Sequence, residues 1–272
     1  MDNLTGNGMV LPRLGLGTYR MQGDACRKAV ETALELGYRH IDTAEMYGNE
    51  DAVGAALATT SVPRSEIKVT SKVWYTNLAP DAMRRAHEGT LTKLGTDYVD
   101  LYLIHWPGPD MNLPQALETL MKIREEGGAK AIGVANFTVA LLKQTIEDVK
   151  APIACNQVEY HVLLGQDTLR NYMREHGLAL TAYCPLAQGR LAEHRALDEI
   201  GRKHNVSAAQ VALAWLLNHD GVAAIPKAGR IESQKANLEA LKLRLDAEDM
   251  AAIATLPKKQ RCVSPGFAPH WD

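Results

Sequence analysis

The chain has 272 residues, 46% of them hydrophobic, and a formal net charge of -2, so it can form a large core but has no basic field for nucleic acid or an anionic membrane. The four cysteines, at positions 26, 155, 184 and 262, form no C-x-x-C pair or zinc-spaced cluster, which is typical of a reducing compartment. With no signal-peptide pattern and no apolar run of about 18 residues, we expect a cytoplasmic protein without membrane or nucleic-acid partners.

The first predicted element is a β-hairpin over residues 4–11, centred on Asn7-Gly8. The Asn-Gly pair favours a tight type I′ turn, because both central residues of that turn need positive φ. A short hairpin of this kind is suited to closing one end of a larger core.

Apolar segments with the character of strands then alternate with amphipathic segments. The predicted strands cover 13–17, 39–42, 67–72, 99–105, 131–135, 154–158, 179–184 and 222–226. The predicted helices cover 26–36, 51–59, 81–94, 113–126, 139–149, 166–176, 208–218 and 233–241. Repeated βα units predict a parallel sheet, and eight parallel strands most naturally close into an α/β (β/α)8 TIM barrel.

The remaining segments are placed around this barrel. We expect the N-terminal hairpin at the barrel floor and two additional helices, over 194–204 and 247–256, outside the eight units. Since no linker or low-complexity segment interrupts the pattern, residues 1–272 are predicted to form a single domain.

Polar side chains stand where three consecutive predicted strands end. The second strand ends at Asp42, with Tyr47 five residues further on, the third ends at Lys72 and the fourth at His105. Barrel active sites are assembled from the C-terminal ends of different strands. The sequence therefore predicts a carboxylate, a phenol, an amine and an imidazole in one small volume.

The chemistry of this group depends on Lys72. A lysine desolvated at a strand end needs a counter-ion, which Asp42 on the adjacent strand can supply. A charged Lys72 beside Tyr47 would favour phenolate and lower the pKa of the phenol from about 10 toward neutrality. Tyr47 is then predicted to be a general acid, with His105 as a second donor to a carbonyl oxygen.

Four groups of motifs along the chain resemble those of the aldo-keto reductase family, in family order. They are Gly37-Tyr38-Arg39-His40-Ile41-Asp42-Thr43-Ala44 with Tyr47 and Asn49-Glu50; Asp97-Tyr98-Val99-Asp100-Leu101 with Ile104-His105-Trp106-Pro107; Gly133-Val134-Ala135-Asn136-Phe137; and Ile225-Pro226-Lys227. The resemblance implies NAD(P)H-dependent reduction of aldehydes and ketones, with a catalytic tetrad of Asp42, Tyr47, Lys72 and His105.

The resemblance also implies NADPH bound across the barrel mouth. Asn136 and Gln157 would hold the carboxamide, Tyr183 would stack on the nicotinamide ring and Asn237 would contact the adenine. Further implied cofactor contacts are Gly17, Thr18 and Leu186.

The chain has no Gly-x-Gly-x-x-Gly loop between a strand and a helix, so a Rossmann site is not indicated. Lys227 and Arg230 instead precede a predicted helix, whose N-terminal N–H groups favour a phosphate. Two cations there suit the 2′-phosphate of NADPH, although a solvated basic loop has the same composition. The family pattern is incomplete: Ala135 and Ala228 stand where many members have Ser, and Ser233 where many have Arg.

The predicted substrate pocket is aromatic. Tyr19, Trp74, His105 and Trp106 are its expected lining, with Trp271 in the tail as a further candidate. The short connection 107–113 and the short tail resemble compact bacterial 2,5-diketo-D-gluconic acid reductases. This implies small dicarbonyls, methylglyoxal-like aldehydes and sugar-derived keto acids as substrates of a monomeric enzyme.

Other functions remain open on the residues alone. Lys72 beside a carboxylate could form an imine, as in a Schiff-base aldolase. Some members of the aldo-keto reductase family serve as nucleotide-responsive subunits of larger assemblies, although the intact tetrad argues against a site without catalytic activity. A metal hydrolase is disfavoured because no His-x-His ends a predicted strand, and no metal is expected.

Overall fold

The computed structural model describes residues 3–191 and 194–271. A two-stranded antiparallel hairpin is followed by an eight-stranded parallel sheet in sequential order. The hairpin strands are β1 (Asn3–Gly6) and β2 (Met9–Pro12). The sheet strands are β3 (Leu16–Gly17), β4 (His40–Asp42), β5 (Lys68–Val73), β6 (Val99–Ile104), β7 (Ala129–Ala135), β8 (Cys155–Glu159), β9 (Ala179–Tyr183) and β10 (Val222–Ala224).

The first and last strands of the sheet meet and close it. Leu14 pairs in parallel with Ala224, and Gly17 pairs in parallel with Lys227. Gly17 is required at this seam, because a Cβ there would lie 2.6 Å from the Ile225 carbonyl oxygen. The predicted (β/α)8 barrel is therefore confirmed, while the limits of the predicted domain, residues 1 and 272, lie outside the described residues.

Helices surround the barrel. They are α1 (Gly23–Glu35), α2 (Glu50–Thr59), α3 (Pro80–Leu94), α4 (Leu113–Glu125), α5 (Val139–Lys143), α6 (Asp167–Glu175), α7 (Arg195–His204), α8 (Ala208–Leu217), α9 (Ile231–Glu239) and α10 (Ala247–Ala254). The two predicted additional helices are α7 and α10, which pack on each other. Within the described ranges, none of the helices is both long enough and apolar enough to cross a membrane.

One predicted helix is wrong in its form. The segment 139–149 is α-helical only through α5 and continues as a π-helical turn over Gln144–Asp148. The Val149 N–H donates to the Gln144 carbonyl oxygen, five residues back instead of four. The apolar spacing of the sequence is similar for both windings, so the change was not predictable from it.

The hairpin closes the barrel end opposite the cavity described below. Asn7 and Gly8 adopt φ values of 44° and 85°, as a type I′ turn requires. Leu4, Met9 and Leu11 pack into a buried cluster with inward-facing residues of the barrel strands. The predicted floor is thus confirmed, and the Asn7 Nδ2 fastens it by donating to the Ile153 carbonyl oxygen at 2.6 Å.

Candidate active site

The carboxyl ends of β4, β5 and β6 bring the four predicted catalytic side chains together. Asp42 ends β4, Lys72 lies one residue before the end of β5, and His105 directly follows β6. These strands are parallel neighbours, so their ends meet at one edge. After β4 the chain turns through a 3₁₀ segment, Glu45–Tyr47, that brings the Tyr47 hydroxyl to 3.4 Å from Lys72 Nζ.

The Lys72 ammonium is fully buried and surrounded by acceptors. Its Nζ donates to Asp42 Oδ1 at 2.6 Å, to the Thr43 carbonyl oxygen at 2.7 Å and to Tyr47 Oη at 3.4 Å. Burial lowers the pKa of Lys72, and the charge of Asp42 opposes that shift. Three acceptors match the three protons of an ammonium group. The geometry therefore favours a charged lysine, which has no lone pair with which to attack a carbonyl carbon.

Asp42 is held from two further sides. Its Oδ2 accepts from Gln157 Nε2 at 2.8 Å, and its backbone oxygen accepts from the N–H and the Oγ1 of Thr18, each at 3.0 Å. Burial raises the pKa of Asp42, whereas the charge of Lys72 and the hydrogen bonds from Lys72 and Gln157 oppose that shift. Gln157 and Thr18, both predicted cofactor contacts, thus hold Asp42 within the protein itself, Gln157 through the carboxylate and Thr18 through the backbone oxygen.

The predicted lowering of the Tyr47 pKa is wrong in direction. The pKa of Tyr47 is raised well above its ordinary value, first because the surrounding protein removes the hydroxyl from water and then because the charge of Asp42 disfavours phenolate. The prediction considers the charge of Lys72 alone, whereas Asp42 lies 2.6 Å from it and offsets it. Tyr47 therefore carries its proton at neutral pH, which is the state that a proton donor needs.

His105 is held neutral. Burial, and then the charge of Lys72, lower the pKa of His105 well below its ordinary value. Among the described residues, no group hydrogen-bonds its buried Nδ1, and its ring packs edge-on against Tyr47 and Trp74. A neutral imidazole is a hydrogen-bond donor that adds no charge to the site.

Asn136 and Tyr183 are hydrogen-bonded to each other. Asn136 Oδ1 accepts from Tyr183 Oη at 2.8 Å, and Asn136 Nδ2 donates to the His105 carbonyl oxygen at 3.0 Å. Asn136 adopts a left-handed φ of 63°, a conformation that asparagine tolerates better than most residues. Only one of the two amide protons of Asn136 is used by these hydrogen bonds to described residues.

Three of the four predicted catalytic residues line a cavity of about 780 Å³, and the fully buried Lys72 lies beneath them, outside the described lining. The cavity lining includes the predicted residues Gly17, Tyr19, Asp42, Tyr47, Trp74, His105, Trp106, Asn136, Gln157, Tyr183, Leu186 and Lys227. The described lining does not include Thr18, Arg230, Asn237 or Trp271. The aromatic wall and most of the predicted cofactor residues thus share one cavity.

Sequence reasoning missed a whole wall of this cavity. Residues 262–265 and Phe267 line it, and the Phe267 ring packs against Trp74 and Trp106 with centroids 5.6 Å apart in each case. The predicted candidate, Trp271, packs behind Trp106 instead. The tail has no periodic pattern, so an isolated Phe in a Pro- and Gly-containing segment was the only signal.

The predicted phosphate site lies where α9 begins. Lys227 and Arg230 are exposed, and neither forms a salt bridge with any residue in 3–191 or 194–271. Arg230 precedes the first residue of α9, and it gives the N-terminal N–H groups of that helix no side-chain cap. Asn237 is buried, so its predicted adenine contact would require an exposed edge of its amide.

Comparisons with known proteins agree with this geometry. The model of the aldo/keto reductase family matches residues 13–257. Methylglyoxal reductase DkgB of Escherichia coli O157:H7 is 43% identical over 97% of this chain and 100% of that protein. Glyoxal reductase of Bacillus subtilis (strain 168) is 40% identical over 94% and 92%. A crystal structure provisionally described as a 2,5-diketo-D-gluconic acid reductase B has a TM-score of 0.97 at 39% identity, covering 100% of this chain and 98% of that one.

Proposed function

Because this chain belongs to the aldo/keto reductase family, it is an oxidoreductase, and we propose that it reduces aldehydes and ketones to alcohols with NADPH and with Tyr47 as the general acid. The observation that carries the proposal is the contact of one buried ammonium, Lys72 Nζ, with both Asp42 Oδ1 and Tyr47 Oη below the cavity. That arrangement holds a protonated phenol beside a fixed positive charge. It is suited to giving up a proton when negative charge develops nearby.

The residues of the chain act on the carbonyl oxygen. A nicotinamide held by Asn136, Gln157 and Tyr183 would supply a hydride to the carbonyl carbon. Tyr47 transfers its hydroxyl proton to the oxygen, which completes the alcohol, and the ammonium of Lys72 stabilises the phenolate that remains until solvent returns the proton. The neutral His105 ring donates a hydrogen bond to the same oxygen and so orients the carbonyl group.

The residues present fit a nicotinamide cofactor, the class that the family uses. Gly17, at the barrel seam, lines the cavity beside Lys227. Tyr183 offers a ring, and the Asn136 and Gln157 amides lie in the same cavity. These residues, with Thr18, Leu186 and Asn237, form the proposed cofactor site.

The preference for NADPH rests on Lys227 and Arg230. Both are exposed at the start of α9, where cations and helix N–H groups together favour a phosphate dianion. The buried methyl group of Ala228 offers no hydroxyl there, and Ser233 offers no charge. We therefore propose discrimination against NADH that depends on these two cations.

The proposed substrates are small dicarbonyls and keto acids similar to 2,5-diketo-D-gluconate. Support comes from the names of the relatives, which include a methylglyoxal reductase and a glyoxal reductase. Tyr19, Trp74 and Trp106 form the proposed pocket wall. We further propose that residues 1–272 act as one monomeric domain in the cytoplasm, without a metal, nucleic acid or membrane partner.

One experiment tests the cofactor and the reaction together. Purified protein is titrated with NADPH and with NADH while nicotinamide fluorescence is recorded, and NADPH oxidation is then followed with methylglyoxal, glyoxal and 2,5-diketo-D-gluconate. We expect tighter binding of NADPH and turnover with at least one dicarbonyl. Absence of NADPH oxidation with the whole panel, together with borohydride trapping of substrate on Lys72, would replace the reductase by an aldolase. A mass from light scattering tests the monomer.

A further inference from the structure

We propose that Glu159 is a positioning residue that fastens the C-terminal segment 262–267, here called the tail wall, so that carbonyl recognition depends on a carboxylate remote from the reacting atoms. The inference rests on the proposed reduction of carbonyl compounds. Glu159 is the last residue of β8 and is completely buried. It is not among the described residues that line the cavity.

The Glu159 carboxylate accepts three hydrogen bonds, two of them from backbone N–H groups of the tail wall. Its Oε1 accepts from the Cys262 backbone N–H at 2.5 Å and from His161 Nε2 at 2.9 Å, and its Oε2 accepts from the Val263 backbone N–H at 2.8 Å. Two consecutive backbone donors on one buried carboxylate fix both the position and the direction of the chain that follows. The tail wall begins at these two residues.

The hydrogen bonds of His161 determine which of its ring nitrogens carries a proton in the neutral form. Its Nδ1 accepts from the Leu163 backbone N–H at 3.3 Å, so a neutral ring must carry its proton on Nε2 and donate it to Glu159. Cys262 Sγ lies 3.8 Å from the same Nε2, and the Glu159, His161 and Cys262 ligand atoms lie within 4.8 Å of one another. A metal on Nε2 would require the opposite tautomer, with its proton directed at the Leu163 N–H, so the geometry favours an anchor over a metal site.

The tail wall closes the cavity from the side facing the catalytic group. Val263, Ser264, Pro265 and Phe267 line it. Phe267 packs edge-on against Trp74, and Trp74 packs edge-on against His105. A shift of the tail wall would therefore move the Trp74 ring, which supports His105. It would also move the surface that excludes water from the substrate.

The anchor is ionised throughout the neutral range. Burial by itself would raise the pKa of Glu159, but the hydrogen bonds from His161, Cys262 and Val263 outweigh burial and lower the pKa below its ordinary value. A depressed carboxyl pKa contributes stability above the unfolded value, which is about 4.3, and that stability is lost only as the pH falls through the folded value. The tail wall is thus fastened at any pH at which the enzyme is assayed.

The test uses Glu159→Gln, which keeps the side-chain length but replaces one acceptor oxygen by an amide that cannot accept. For methylglyoxal we expect KM to rise about tenfold, with kcat and the Kd of NADPH within about twofold of wild type. Glu159→Asp retains the charge and should recover part of the loss. If KM for methylglyoxal is unchanged in the folded Glu159→Gln variant, whether or not kcat falls, the proposal is overturned.

A matched control is Asp249→Asn. Asp249 is also a buried carboxylate that accepts from a histidine, His204 Nε2 at 2.6 Å, and from a backbone N–H, that of Asp246 at 3.1 Å. It lies on α10, outside the described lining of the cavity. Asp249→Asn should lower the melting temperature without changing KM, and a similar rise in KM in both variants would mean that only general destabilisation is measured.

A double-mutant cycle separates the anchor from the reaction itself. Phe267→Ala removes the main side chain of the tail wall, so Glu159→Gln added to it should raise KM little further; fully additive effects would contradict the proposal.

In the wild-type protein, the amide protons of Cys262 and Val263 should exchange slowly with solvent, and rapid exchange would overturn the anchor without any variant. Stoichiometric zinc in purified wild-type protein, lost in Glu159→Gln, would replace the anchor by a metal site. A protein with slow exchange at 262 and 263 but no carbonyl reduction would contradict the proposed function and leave the anchor intact.

Discussion

The two sides of the cavity differ in how their functional side chains are held. On the catalytic side, Asp42 and Lys72 are buried, and each of their polar atoms named above has a partner inside the protein. On the cofactor-phosphate side, Lys227 and Arg230 are exposed, and the described residues offer them no salt bridge. The Asp42–Lys72 pair needs no ligand to be neutralised, whereas the proposed phosphate side would be neutralised by one.

The difference has an energetic basis. Buried charges must be paired when the chain folds, because an unpaired ion in the interior costs several kcal/mol. Exposed cations are solvated and cost little to leave unpaired. Substitutions on the catalytic side should therefore affect both turnover and stability, and substitutions on the phosphate side should affect cofactor binding alone.

The largest effect is expected from Tyr47→Phe. Loss of the hydroxyl removes the proton donor, so kcat for dicarbonyl reduction should fall about 10³-fold. NADPH affinity should stay within about twofold, because the ring remains. Steady-state kinetics and a fluorescence titration measure the two quantities, and unaltered turnover would end the proposed role of Tyr47.

The next effect is expected from Asp42→Asn. This change leaves the buried Lys72 ammonium without its counter-ion, which costs about 3–5 kcal/mol of unfolding free energy. It also removes the charge that holds Lys72 protonated, so kcat should fall about 100-fold. Urea unfolding and initial rates check both parts. A variant that loses activity but not stability would show that the catalytic side is not held as described.

A smaller and different effect is expected on the phosphate side. In Lys227→Ala/Arg230→Ala, the Kd of NADPH should rise at least about tenfold through the loss of charge-assisted hydrogen bonds. The Kd of NADH, kcat at saturating cofactor and the melting temperature should hardly change. Ser233→Arg, which adds a cation on the same helix, serves as the opposite control and should tighten NADPH alone. An equal rise in the Kd of NADPH and of NADH would mean that the 2′-phosphate is bound elsewhere.

The smallest effect is expected from pH. Reduction requires Tyr47 in its protonated form, and its pKa is raised well above the ordinary value. The pKa of His105 is lowered well below its ordinary value, so this ring stays neutral. Between about pH 6 and about pH 9, kcat for reduction should therefore vary less than about twofold. If kcat for reduction instead falls tenfold per pH unit above neutrality, the pKa of Tyr47 is lowered, as the sequence predicts.

The sequence predicts best what depends on local pattern. Apolar runs alternating with amphipathic helices predict the barrel, and Asp42, Lys72 and His105 are recognised because strand ends in such a barrel meet at one edge. Asn7-Gly8 predicts the hairpin because the turn needs positive φ at both positions. Each inference uses residues close together in the chain or equivalent positions in successive units.

What the sequence misses depends on contacts between distant residues. The predicted direction of the Tyr47 pKa shift is wrong because that shift depends first on burial of the phenol and then on the charge of Asp42. The contact of Gln157 with Asp42 joins residues 115 positions apart. The tail wall has no periodicity, and its place depends on contacts of Glu159 with Cys262 and Val263 and of Phe267 with Trp74, which join residues more than 100 positions apart.

The hairpin at the barrel floor has a practical consequence for handling the protein. Asn3 lies at the closed end of the barrel, whereas Trp271 packs against Trp106 beside the open end. A support or fusion partner coupled ahead of Asn3 would leave the mouth free for diffusion of cofactor and substrate. The same attachment after Trp271 would lie close to Trp106, which lines the cavity.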